Sequence, residues 1–149
     1  MGEKYLVLVV EPEDTSGARI KQALAKDRFE VVAARTPRHA VEIIATRRPT
    51  LILISTAYGP QSSYRVCRKL AHYGFAVVLL EANATRETVT RAVRNGAVGM
   101  LVRPLKKEAI SPRIERVLVR AGVSLPAAGE QPKIEFPEGL DSPRSGSST

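Results

Sequence analysis

The sequence predicts an α/β domain: a doubly wound, five-stranded parallel sheet flanked by five helices. Three observations carry that prediction. Short runs of branched apolar residues alternate along the chain with segments of helical periodicity. Two of the runs, Tyr5-Leu6-Val7-Leu8-Val9-Val10 and Leu51-Ile52-Leu53-Ile54, are apolar at every position, the pattern of strands buried on both faces. The connections are short, and strict alternation with short connections requires parallel strands joined by right-handed crossovers.

Each element follows from local chemistry. Glu11-Pro12-Glu13-Asp14 ends the first strand, and Asp14 or Thr15 can cap a helix that places Ala18, Ile20, Leu24 and Ala25 near helical spacing. A second strand covers 29–33. Thr36-Pro37 starts the next helix, with Thr as cap and Pro in the first turn; Ala40, Val41, Ile43 and Ile44 are its expected buried face. The third strand, 51–54, leads into a polar loop, 55–62, and then a helix carrying Tyr64, Val66, Cys67 and Leu70. A fourth strand covers 75–80. The helix 85–95 contains Val89, Ala92 and Val93 and is closed by Asn95-Gly96. The fifth strand, 99–102, precedes Arg103-Pro104. Because Pro112 would kink a helix begun earlier, the last helix is expected to start at Ser111-Pro112, with Ile114, Val117, Leu118 and Ala121 facing the sheet.

Composition narrows the function. Apolar residues make up 44% of the 149 positions, enough for a core without disulfides or a structural metal. The single cysteine, Cys67, excludes an internal disulfide, and neither it nor His39 or His72 has a partner at zinc-ligand spacing. These features and the lack of a signal-like start suggest a cytoplasmic protein. No run is long enough to span a membrane, and Leu6 stands where a myristoylation motif needs Ser or Thr. The formal charge is +8. The stretch 124–149 is rich in Pro, Gly and Ser and carries Glu130, Glu135, Glu138 and Asp141 against Lys133 and Arg144. It is expected to be a disordered tail, so the domain proper, 1–123, is more basic than the total. Ile134, Phe136 and Leu140 make the tail either a peptide that docks on a partner or on its own domain, or a linker end.

Three strings carry a family resemblance. Leu8-Val9-Val10-Glu11 resembles the end of the first strand in response-regulator receiver domains, the CheY-like family, which usually closes in two aspartates. Pro49-Thr50-Leu51-Ile52-Leu53-Ile54-Ser55 resembles the segment ending at the family's phosphoacceptor aspartate. Asn95-Gly96-Ala97-Val98-Gly99-Met100-Leu101-Val102-Arg103-Pro104 resembles the stretch before the last helix. The resemblance spans about 4–122 and implies a flavodoxin-like fold with its site at the carboxyl ends of the strands.

Taken position by position, the resemblance implies a degenerate site. Glu11 matches the first acidic residue and Pro12 the second, a metal ligand in the family; proline offers no side-chain oxygen. Ser55 matches the phosphoacceptor, and a hydroxyl cannot form an acyl phosphate and is a poor nucleophile without a base. Glu81 matches a Thr or Ser that contacts the phosphoryl group, which a carboxylate would repel. Arg103 matches a Lys preceding a proline that is often cis. It keeps the charge with a different geometry, and Met100 replaces an aromatic that reports activation. Magnesium needs several hard oxygen ligands, so no magnesium site of the family's type, no cofactor and no enzymatic activity is expected. Arg103 is instead expected to pair with Glu81 or Glu11.

The resemblance also implies a partner surface on the fourth and last helices. Arg86, Arg91, Arg94, Met100, Lys106, Lys107, Arg113, Arg116 and Arg120 fall there, and an acidic signalling protein or a second copy would fit them. The bland alternative is a solvated face. The expected function is signalling by phosphorylation-independent protein–protein contact, as a pseudo-receiver. The alternatives are a working phosphoacceptor using Glu11, Glu13 or Ser55, a nucleic-acid-binding regulator using the basic face, and a small-molecule domain at the altered pocket. Ser55 is either a kinase target or an inert small residue.

Overall fold

The structure, a computed structural model, describes residues 4–12, 15–24, 26 and 28–123. In chain order the elements are β1 (Tyr5–Val10), α1 (Thr15–Ala23), β2 (Phe29–Ala34), α2 (Pro37–Arg47), β3 (Leu51–Ser55), a 3-10 turn (Thr56–Tyr58), α3 (Pro60–His72), β4 (Ala76–Glu81), α4 (Arg86–Arg94), β5 (Gly99–Val102) and α5 (Lys107–Arg120). All strand pairs are parallel and the sheet order is β2-β1-β3-β4-β5. The strand order reverses at β1, so the crevice between β1 and β3 opens at the carboxyl ends of the central strands.

The apolar runs are buried on both faces because alternate side chains serve two cores. Tyr5, Val7, Val9, Leu51, Leu53, Val78 and Leu80 pack with Ile20 of α1, with Leu24 just after it, and with Ile110, Ile114 and Leu118 of α5. Leu8, Val10, Ile52, Ile54, Val77 and Leu79 pack with Ala40 and Ile43 of α2, Tyr64 and Cys67 of α3, and Ala92 of α4. Each fully buried Leu or Ile contributes about 1.5–3 kcal/mol. Thr36 caps α2 by accepting from the His39 amide at 3.1 Å, and Thr85 caps α4 in a reciprocal box with Thr88.

Five expectations are corrected. The last helix begins at Lys107, with Pro112 inside it. Leu105 and Ile110 are buried in the α1–α5 core and anchor the early turn, while the Glu108 carbonyl that Pro112 leaves without an amide donor belongs to a solvent-exposed residue. The expected loop 55–62 is instead a strand end, a 3-10 turn and the first turn of α3. On α1, Ala18 is exposed and Gly17 faces inward, where an added Cβ would lie 3.3 Å from that of Ala33. Val41 is 63% exposed; at 100° per residue Ala40, Val41, Ile43 and Ile44 cannot all face the sheet. Ala121 is likewise exposed, because it caps α5. Asp14 and Ala25, and the tail from 124, lie outside the described residues.

Candidate site at the strand ends and the groove beside it

The sheet register brings the sequence-derived positions together. Val10 pairs with Ile54 and Ser55 with Leu80, so Glu11, Ser55 and Glu81 finish neighbouring strands. All three are buried, Ser55 completely. Arg103 is held at the same end by its amide, which donates to the Glu81 carbonyl at 2.9 Å; the Arg103–Pro104 peptide is cis.

The polar groups there satisfy one another. The Arg103 guanidinium forms an ion pair with Glu11 and also donates to Ser55 Oγ at 3.4 Å. Ser55 Oγ accepts from the Ala57 amide at 3.0 Å, so the hydroxyl also caps the 3-10 turn. Of the two expected partners for Arg103, Glu11 is the one it takes. Glu81 has other donors: Tyr64 Oη reaches Oε2 at 2.5 Å and Thr56 Oγ1 reaches Oε1 at 3.2 Å. Burial, then the hydrogen bond to Glu81, pushes the Tyr64 phenol well above its usual range, and burial lowers the Arg103 guanidinium from its own. The Arg91 guanidinium covers the Tyr64 ring at 5.6 Å, and Ser63 Oγ donates to the Ser55 carbonyl at 2.8 Å. The second Glu11 oxygen, Oε1, is buried and has no partner among the described residues.

This donor set does not fit a hexacoordinate magnesium ion. Its carboxylates are Glu11, already neutralised by Arg103, and Glu81, turned toward Tyr64 and Thr56. Pro12 is exposed and has no side-chain oxygen. Among the described residues no three His, Cys, Asp or Glu side chains gather into a metal-holding group; Glu13 and Asp14 lie outside them.

The predicted partner face divides. Met100, Arg113, Arg116 and Arg120 line an open groove of about 390 Å³ between α4 and α5, floored by Ala97, Val98, Gly99 and Val102 and walled by Val89 and Val93. Arg91 leaves this groove for Tyr64 on α3. Arg86, Arg94, Lys106 and Lys107 are exposed but do not line it. Val93 is 65% and Val89 45% exposed. Among the described residues none of the three groove arginines pairs with a carboxylate; Arg113 donates to the Met100 carbonyl at 3.3 Å. A smaller apolar cleft of about 100 Å³ lies between α2 and α3, beside Val41 and Val66.

Sequence reasoning missed Tyr64 and Thr56 as members of the strand-end cluster and Val89 and Val93 as groove walls. Thr56 follows Ser55 directly, and Val89 and Val93 stand one helical turn apart on a face that Arg91 does not share. Cys67 and the two histidines are as plain as expected: Cys67 is buried, its thiol pushed up to about 11 by burial, and His39 and His72 are on the surface.

A model of the response regulator receiver domain matches residues 7–115. The chain belongs to the response regulator receiver family. Among curated proteins the receiver is 26% identical over 133 residues to the response regulator MprA of Mycolicibacterium vanbaalenii, covering 87% of this chain and 57% of that one. It is 20% identical over 124 residues to the alkaline phosphatase synthesis transcriptional regulatory protein PhoP of Bacillus subtilis, covering 82% and 52%. The receiver thus spans a little over half the length of these relatives. Among solved structures, a response regulator from Thermotoga maritima superimposes with a TM-score of 0.73 at 21% identity, covering 78% of this chain and 99% of that one. A putative pilus assembly protein (cpaE) from Burkholderia thailandensis does so at 0.63 and 19%, covering 77% and 98%. These likenesses agree with the doubly wound fold. Among the described residues no helix is long and apolar enough to cross a membrane.

Proposed function

We propose that this receiver signals without phosphotransfer, as a pseudo-receiver, through protein–protein contact in two-component signalling. The observation that carries the reading is the Arg103–Glu11 pair: the cation expected to meet a phosphoryl group is taken by a buried carboxylate, and its second contact is the Ser55 hydroxyl at the acceptor position. An internal charge pair does the work that a metal and a phosphate would otherwise do in balancing charge at the strand ends. Among the described residues no base accepts from the Ser55 hydroxyl to activate it; its carbonyl and hydroxyl are engaged by Ser63, Ala57 and Arg103. On this reading the receiver is not an enzyme, takes no cofactor and binds no magnesium at Glu11 and Ser55. Its interface is the α4–α5 groove, where exposed arginines flank an apolar floor and select an acidic protein partner. It acts in the cytoplasm.

The test is exposure of the purified chain to a small phosphoryl donor with magnesium, followed by intact mass. An unmodified mass supports the reading; stoichiometric phosphate, lost in Ser55→Ala, contradicts it. The phosphoacceptor alternative rests on the unpartnered Glu11 Oε1. It would show instead as uptake that survives Ser55→Ala and is lost in Glu11→Gln.

A further inference from the structure

We propose that the segment 130–141 of this same chain occupies the groove between α4 and α5, competing there with outside partners. Ile134, Phe136 and Leu140 would meet Val89, Val93 and Met100, and Glu130, Glu135, Glu138 and Asp141 would meet Arg113, Arg116 and Arg120. The proposal rests on reading the groove as the receiver's interface and names one occupant for it.

Three observations point to this segment. The first is charge. The groove's three arginines are exposed and make no ion pair with a described carboxylate, while the segment holds four acids and a single cation, Lys133. The second is apolar surface: Val89 and Val93 stand in solvent on α4 at 45% and 65% exposure, over a floor that includes Ala97, Val98 and Met100, and the segment brings two large apolar residues and an aromatic one. The α2–α3 cleft has no cation in its lining and offers the segment's acids nothing. The third is reach. The described chain ends at Val123, whose amide donates to Leu118 at 2.9 Å in the turn that closes α5, beside Arg120, a lining residue. The stretch 124–134 can extend up to about 35 Å, whereas the groove from Arg113 to Arg120 runs about 10 Å at 1.5 Å per helical residue. A tether this short gives an effective concentration on the order of millimolar, so a weak contact is enough to fill the groove.

The test uses the full chain. Ser142→Cys is spin-labelled; Cys67 is completely buried and stays unlabelled. Amide relaxation is then mapped over the domain. The expected result is enhancement centred on Val89, Val93, Met100 and Arg116. Raising ionic strength from about 0.1 M to about 1 M shortens the Debye length from about 10 Å to about 3 Å and should strip most of that enhancement. Phe136→Ser and Arg116→Glu should each remove it. Enhancement spread evenly over all faces, centred on Val41 and Val66, or unchanged in Phe136→Ser overturns the proposal. So does enhancement that vanishes on dilution and reappears between a labelled and an isotope-enriched copy, which would make the occupant a second chain. Failure here leaves the phosphoryl-donor result untouched, and phosphate uptake would sink the signalling reading without moving the tail.

Discussion

The strand-end cluster and the α4–α5 groove use arginine in opposite ways. At the strand ends Arg103, with only 29% of its side chain exposed, is matched by the buried Glu11, and nearly every polar atom around it has a partner. In the groove, about a helix away, Arg113, Arg116 and Arg120 are exposed and have no carboxylate partner among the described residues. A buried charge must be paired where it sits or it destabilises the fold. An exposed charge costs the fold nothing and remains available for contact. The difference separates a region that holds one state from a region that can recognise something.

If the contrast is real, substitutions on its two sides must differ in size. The largest effect is expected from Arg103→Met, which strands the Glu11 carboxylate. The loss should be about 2 kcal/mol, below the roughly 3–5 kcal/mol of a fully buried pair because Arg103 is partly exposed. Urea denaturation measures it, and Glu11→Gln added to Arg103→Met should recover much of the loss. Equal stability of the single variant and the parent would break the contrast.

Next is Tyr64→Phe, which leaves Glu81 Oε2 without its donor; a cost of about 1–2 kcal/mol at neutral pH is expected. Its pH dependence sharpens the point. The folded phenol is pushed up by burial and by the Glu81 carboxylate, so the folded state favours the neutral form. That stability is present below the unfolded phenol's value of about 10 and is lost as pH rises beyond it. Stability of the parent should therefore fall above about pH 10, and Tyr64→Phe should flatten that fall. Parallel pH profiles of parent and variant would show that the phenol is not coupled to folding.

The smallest effects are expected in the groove. Arg116→Ser and Val93→Ser should each change stability by less than about 0.5 kcal/mol in the same denaturation experiment. A loss above 1 kcal/mol would place those residues in the fold's own packing rather than on a recognition surface, a threshold about twice the usual surface effect.

The sequence made the scaffold legible where one physical rule dominated. Continuous apolar runs gave the strands, and Thr36-Pro37 gave a helix start, because burial and capping act locally. Helix faces were harder. The rotation that exposes Ala18 goes with the close approach of α1 to the sheet at Gly17 over Ala33, and no local pattern encodes that distance. The start of α5 was misjudged because Pro112 was weighed as a breaker while the anchoring of Leu105 and Ile110 is tertiary. At the strand ends the identities of Glu11, Ser55, Glu81 and Arg103 could be read from the chain. The pairing of Arg103 with Glu11, and the diversion of Glu81 to Tyr64, depend on which side chains reach across the crevice, and this only three-dimensional placement decides.

The most direct test of the central claim is a titration of the full chain with magnesium and beryllofluoride, a phosphoryl mimic, followed by amide chemical shifts. A pocket already closed by its own ion pair should give no saturable shifts at Glu11, Ser55, Glu81 or Arg103. Saturable shifts at those residues that spread to Val89, Val93 and Arg116 would show that the pocket still drives the groove, contradicting the account.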